Sequence, residues 1–389
     1  MKALRVAFFT ECYRPIINGV VASVDALADD LRARGNDVFT FAPSAPGYLE
    51  NEGPVYRMPS LPLPLATEYR LTLPFVSRRN RTQILRTADI VHTHSPFVTG
   101  WMGVHYARRY GVPLVFTYHT QLEHYIHYVP FDAAQTRRFV AHLTKTYANA
   151  ADAVIVPTTA MEARLRELGV SARIITSPSG IDVARFKAAT RRPEVRARLG
   201  AALDGLQLLV VSRLGKEKQI VRVLEAMALA PPATHLAVVG EGPERGALEA
   251  QAARLGLGGR VRFLGSLAPN ELPDIYAGAD VFVFASQSET QGLVLAEALA
   301  AGLPVAAVDT PQTREVVGEA GIFCADDPAS LAAAIAAAGA ARSPVFTQRL
   351  RAAAERFSSA AHAGRVLDLY HELVAGRGSG LREVAVASA

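Results

Sequence analysis

The chain has 389 residues, half of them apolar and a fifth charged, and its 41 Lys and Arg against 36 Asp and Glu give a net charge of +5. That length exceeds one hydrophobic core and predicts two domains, the composition excludes extensive disorder, and the modest charge without dense basic runs excludes a nucleic-acid binder. No apolar run approaches the ~20 residues of a membrane-spanning helix, no secretory leader pattern opens the sequence, and Cys12 and Cys324 are the only cysteines, so a cytoplasmic, reducing setting is expected.

In chain order, short β-branched or aromatic runs at Leu4 to Thr10, Asp37 to Ala42, Asp89 to Thr93, Pro113 to Tyr118, Asp152 to Val156 and Ala172 to Thr176 alternate with helical patterns. The alternation predicts βαβ units and a parallel sheet. Arg78, Arg79, Arg81 and Arg86 follow the apolar, Pro-rich segment Leu61 to Phe75, and Arg138, His142 and Lys145 recur at helical spacing opposite Phe139, Leu143 and Tyr147. Such a helix suits either an anionic membrane surface or a solvated face on a core-packed helix. The strand rhythm restarts at Leu206 to Ser212 and continues through His235 to Val239, Arg260 to Leu264, Asp280 to Phe284 and Pro304 to Val308. The predicted domains are therefore 1–182, a connection 183–204, a second domain 205–356, and 357–389 as a C-terminal helix that stops before Gly376, with a flexible tail.

Two segments combine the charges that phosphate and sugar chemistry needs. Val210 to Lys218 runs off a predicted strand and carries Arg213 and Lys218, an arginine fork and a lysine point charge suited to a diphosphate leaving group. Ser286 to Glu297 follows the next-but-two strand. It sets Glu289 in a loop, able to accept from sugar hydroxyls, and Glu297 eight residues and about two turns later, on a helix entered around Gly292. The backbone N–H groups at Gly292, Leu293 and Val294, where that helix starts, suit a phosphate.

These segments, "SRLGKEK" and "SETQGLVLAEALAAGLPV", resemble the retaining glycosyltransferases of family four, together with "VVGEGPE", "VRFLG", "SGID", "VHTHSP" and "TYHT". The resemblance implies an α/β fold of the GT-B type: two facing, doubly wound Rossmann-like domains, with a C-terminal helix crossing back to the first. It implies that Arg213 and Lys218 bind the donor diphosphate, that Glu289 meets the donor sugar and Glu297 the ribose, and that the backbone near Leu264 approaches the base. Gly19 and His119 would contribute from the N-terminal domain, and no metal or cofactor is implied beyond the nucleotide-sugar donor. Where the family often has paired glycines the chain has Asn18-Gly19, and Thr290-Gln291 replaces an aromatic in a Gly-rich loop. That variant, with "TYHTQLEHYIHY" and "EYRLTLP", resembles the diacylglycerol glucosyltransferase branch. It implies UDP-glucose as donor, a lipid acceptor and peripheral contact with the inner face of the cell membrane. Mannose or galactose transfer and a soluble acceptor remain alternatives.

Three rival classes share parts of the pattern. Six of ten histidines lie between His92 and His127, and His92 with His94 on one strand face suggests a metal hydrolase if Glu123 or His119 converges on them. Gly240, Gly242 and Gly246 follow a strand as in a dinucleotide-binding turn, although the spacing is wider than that fingerprint. A non-catalytic nucleotide-sugar sensor would bind the donor equally well.

Overall fold

The computed structural model describes residues 2–48, 54–63, 66–74, 79–124, 132–200 and 205–387. Phe75 to Arg78 and Tyr125 to Phe131, which carry part of the expected basic cluster and of the "TYHTQLEHYIHY" segment, lie outside them. The chain forms two compact units, Met1–Gly180 with Ser359–Ala389, and Ile181–Ser358.

The first unit contains β1 (Arg5–Phe9), α1 (Gly19–Ala33), β2 (Asp37–Pro43), β3 (Val55–Met58), β4 (Ser60–Leu63), β5 (Ala66–Thr72), α2 (Arg79–Arg86), β6 (Ile90–Thr93), α3 (Val98–Tyr110), β7 (Leu114–Thr117), α4 (Ala133–Ala148), β8 (Ala153–Val156), α5 (Thr159–Glu167) and β9 (Arg173–Thr176). Seven parallel strands run in the order β3-β2-β1-β6-β7-β8-β9, and β4 and β5 pair as a separate antiparallel ribbon. The central strands are continuous apolar runs because both sheet faces are covered. In β1, Ala7 and Phe9 join the core on one face, and Val6 and Phe8 the core on the other.

The second unit contains α6 (Val183–Ala188), α7 (Pro193–Leu199), β10 (Leu206–Val211), α8 (Ile220–Leu229), β11 (Thr234–Val239), α9 (Arg245–Arg254), β12 (Val261–Gly265), α10 (Leu272–Gly278), β13 (Val281–Phe284), α11 (Leu293–Ala301), β14 (Val305–Val308), α12 (Pro311–Val317), β15 (Gly321–Cys324), α13 (Pro328–Ala340) and α14 (Pro344–Ala354). Its six parallel strands run β12-β11-β10-β13-β14-β15. Val183, Phe186 and Leu199 are buried in this unit's core, so α6 and α7 are part of its body.

The final helix, α15 (Ser359–Ala387), belongs to the first unit and packs on α1. Ala363, Val366, Leu369 and Tyr370 fill the same core as Val24 and Leu27 of α1. Arg173 makes a bidentate pair with Glu372 at 2.6 and 2.8 Å, and Arg377 reaches both oxygens of Asp152 at 2.9 Å. The helix continues past Gly376, Gly378 and Gly380 to Ala387, beyond the stop that those glycines predict. Among the described residues no single helix is long and apolar enough to cross a membrane.

Candidate functional site

The second sheet reverses its winding between β10 and β13. Chain connections diverge there and leave a crevice at the carboxyl ends of the two strands. The segment with Arg213 and Lys218 follows β10, and the segment with Glu289 follows β13. Lys218 ends a short 3-10 turn over Lys216–Lys218, and its Nζ donates to Glu289 Oε1 across the crevice. Ser286 donates its hydroxyl to the same carboxylate oxygen at 2.9 Å and sits 3.3 Å from the carbonyl of Glu217. Arg213 lies 3.7 Å from the carboxylate of Glu217, which is buried and folded back over Gly215. A Cβ at Gly215 would stand 2.4 Å from both oxygens of that carboxylate.

Gly240 and Gly242 have a packing role that replaces the dinucleotide reading. A Cβ at Gly240 would fall 1.9 Å from the carbonyl oxygen of Ser212, and one at Gly242 would fall 2.4 Å from that of Leu214. The loop after β11 thus lies directly against the Arg213 loop, held by Leu214 N–H to the carbonyl of Glu241 at 2.9 Å. Leu264 sits near the end of β12, half-buried against the core.

Gly292 caps α11 with φ at 81°, so the chain turns sharply from the Glu289 loop into the helix. The N–H groups of Leu293 and Val294 open that helix and have no carbonyl four residues back within it. Glu297 lies on the same helix, and the fully buried Tyr276 of α10 donates to its Oε2 at 2.7 Å. Burial raises the Glu297 carboxyl to about 7, opposed by the Tyr276 hydrogen bond.

Gly19 and His119 lie in the first unit. Its winding reverses between β1 and β6. Gly19 begins α1, and Asn18 before it is extended at φ −157°, not left-handed. Its side chain caps the helix by accepting from Val21 N–H at 2.9 Å and donates to Cys12 Sγ at 3.0 Å. Glu11 ties three segments together, accepting from Thr72 N–H at 3.2 Å, Thr99 N–H at 2.8 Å and the Thr99 hydroxyl at 2.7 Å.

His119 follows β7, and its Nε2 is 3.0 Å from His94 Nδ1. The other nitrogen of His94 is buried without a partner. A bare acceptor costs less there than an orphaned N–H, so we assign the proton of His94 to Nδ1, donating to His119. Burial lowers His119 to about 4 and His94 well below its usual range, so both rings are neutral at pH 7. The metal-hydrolase alternative fails on chemistry. His92 already spends both nitrogens, on the Tyr370 hydroxyl at 2.5 Å and the Thr117 hydroxyl at 2.7 Å. Glu123 bonds to Arg164 at 3.2 Å.

Sequence reasoning missed the supporting side chains. Ser286 stood in the quoted segment but carried no charge to draw attention. Tyr276 is 21 positions from Glu297 on another helix, and no periodicity links them. Glu11 meets its partners 61 and 88 positions away.

Residues 17–185 match the family described as Glycosyltransferase Family 4, and residues 191–355 match Glycosyl transferases group 1. The alpha-monoglucosyldiacylglycerol synthase of Streptococcus pneumoniae is 32% identical over 328 residues, 81% of this chain and 74% of that protein. The GDP-mannose-dependent alpha-mannosyltransferase of Mycobacterium tuberculosis is 33% identical over 326 residues, 82% of each. The crystal structure of Anabaena HepE with UDP and glucose shares the fold at a TM-score of 0.77 and 21% identity, covering 95% of this chain and 100% of that one. Two parallel-sheet units, a final helix returning to the first, and these matches across both show that the chain is a family-four glycosyltransferase with the GT-B fold.

Proposed function

We propose that the protein transfers a hexose, glucose first, from a UDP-sugar to a diacylglycerol-like lipid, with retention of anomeric configuration. The observation that carries the donor reading is the joining of the β10 and β13 loops by Lys218 and Glu289 at the switch point. Arg213, Lys218 and the first N–H groups of α11 supply positive potential where a diphosphate gains charge as the glycosidic bond breaks. Glu289 is placed to accept from sugar hydroxyls, Glu297 meets the ribose, and the chain near Leu264 approaches the base. We keep for Gly19 and His119 the donor-side roles that the family pattern gives them. Retention follows if the acceptor attacks on the face the phosphate leaves, that phosphate taking the acceptor proton. No metal is needed in this scheme, because the cationic side chains and helix start carry the charge.

Two observations support the lipid. The pneumococcal relative is named for a diacylglycerol product. On α4 the Phe139 ring is 65% exposed beside exposed Arg137 and Arg138, while Tyr147 near the end of the helix is buried in the core. The helix therefore combines a packed end with a basic, aromatic surface suited to the cytoplasmic face of an anionic membrane. The mycobacterial relative favours a second reading, GDP-mannose as donor. Purified protein incubated with chelator, radiolabelled UDP-glucose or GDP-mannose, and extracted lipids tests all of this. We expect label from UDP-glucose in the lipid phase. Label confined to a water-soluble product refutes the lipid acceptor, transfer from GDP-mannose alone refutes the donor, and activity restored only by a divalent ion refutes the metal-free scheme.

A further inference from the structure

We propose that Tyr276 is a positioning residue for donor binding: its hydroxyl fixes the Glu297 carboxylate so that Oε1 is presented to the nucleotide ribose. The inference rests on the ribose role proposed for Glu297 and adds the device that makes that role work. Tyr276 is fully buried, edge-on to Phe186 at 5.4 Å between ring centroids and stacked on Phe282 at 5.5 Å. Locked on two sides, the ring holds its hydroxyl at a fixed point, 2.7 Å from Glu297 Oε2. The hydrogen bond to Glu297 falls on Oε2, and the residue is half-buried, which leaves Oε1 as the oxygen for a ribose hydroxyl.

A glutamate has three rotatable bonds, and around it the helix is apolar, with Leu295, Ala296, Ala298 and Leu299 all buried. Without an anchor, the carboxylate would lose both its orientation and the hydrogen bond that favours its charged form. Burial already raises its proton affinity, and Tyr276 works against that rise. The charged side chains on the helices packed against α11 do not replace it. Lys187, Asp274, Arg314, Glu315, Arg349 and Arg351 each contact another partner, and Arg185 is exposed.

The test is calorimetric titration of the full chain with UDP, and with GDP in parallel, between pH 6 and 8.5, following the tighter of the two. Wild-type affinity is expected to fall as pH drops through about 7, and Glu297→Gln to reduce that limb to the part set by the nucleotide's own terminal phosphate, which takes up a proton at about pH 6. Tyr276→Phe keeps the ring packing. It should weaken binding about tenfold at pH 7, the worth of a charge-assisted hydrogen bond, and move the limb to higher pH. Its kcat at saturating donor should stay within about twofold, so the loss falls on KM. In the Glu297→Gln background the same change should have no further effect. Replacing Tyr276 with 3-fluorotyrosine, a stronger donor of nearly the same shape, should move the limb to lower pH and decides the matter if Tyr276→Phe does not fold. Unchanged affinity and limb in the Tyr276 variants, with Glu297→Gln still impaired, overturns the inference alone. Unchanged affinity in Glu297→Gln overturns the ribose role beneath it.

Discussion

Lys218 and Glu289 are bonded to one another, and this sharpens what removing either should do. Glu289→Ala deletes the sugar-hydroxyl acceptor proposed above and also frees the Lys218 ammonium from its carboxylate partner. Turnover should fall by about 10²- to 10³-fold, as for loss of a group that acts on the transition state, while binding of UDP alone stays unchanged or tightens. Lys218→Ala should weaken UDP itself by about tenfold or more, the range for a hydrogen bond to a charged group. Steady-state kinetics and calorimetry on both variants separate the roles, and equal losses of UDP affinity would contradict them. That Arg213, Lys218 and Glu289 fall in the loops after β10 and β13 was legible in the sequence, because the apolar runs of those strands end just before them. Ser286 and Tyr276 were not, since a hydroxyl becomes informative only when its partner is known. Asn18, standing where the family often has a glycine, takes the extended conformation of a helix N-cap, a role its side chain made possible but did not announce.

At the scale of elements, the apolar interior strands and the edge strands β9 and β12 were legible, and the edge strands β3 and β15 were not. β3 reads VYRM and β15 reads GIFC, and both close a sheet edge where burial is incomplete and the apolar run correspondingly weak. β13 was legible, but its anchor was not. Asp280, just before the strand, accepts from Arg191 at 2.6 Å, Arg196 at 2.9 Å and the Gln207 N–H at 2.8 Å, and pairs with the Arg342 charge at 2.8 Å. Burial alone would raise its carboxyl, but the hydrogen bonds and nearby arginines outweigh burial and hold it below the ordinary value of 3.8. Its folded-state pKa is depressed, so the stabilisation is fully present above that ordinary value and is lost as pH falls through the folded pKa. Asp280→Ala leaves the buried Arg196 uncompensated and should destabilise the second unit by about 3–5 kcal/mol. Urea unfolding at pH 7 measures this; a loss below about 1 kcal/mol would mean the arginines find water or other partners.

For the whole molecule, the two units should respond to acid with opposite signs. The first unit buries neutral imidazoles, with α15 supplying part of the enclosure: His362 bonds Ser177 at 2.9 Å, and Tyr370 bonds His92. Burial lowers His119 to about 4 and His362 to about 3, and holds His92 and His94 well below the ordinary 6.5. Between pH 6.5 and 5 the unfolded chain takes up protons that the folded unit refuses. Stability falls there, on the order of 1–2 kcal/mol for each such imidazole. Glu297 in the second unit does the opposite. Its carboxyl titrates near 7 when folded against 4.5 ordinarily, so the folded unit binds the extra proton and gains stability as pH falls from 7 toward 4.5. The Asp280 anchor does not offset this gain, because its carboxylate stays charged above pH 5, and His235, a single half-buried imidazole that burial also lowers below 6.5, offsets only part of it. Amide hydrogen exchange read by mass spectrometry at pH 7.5 and 5.5, corrected for intrinsic rates, resolves the units separately. Protection should drop in β1, β6 and α15 and hold or rise in β10, β13 and α11; equal loss in both sets would mean that the histidine cluster opens to water and its imidazoles titrate as exposed groups do.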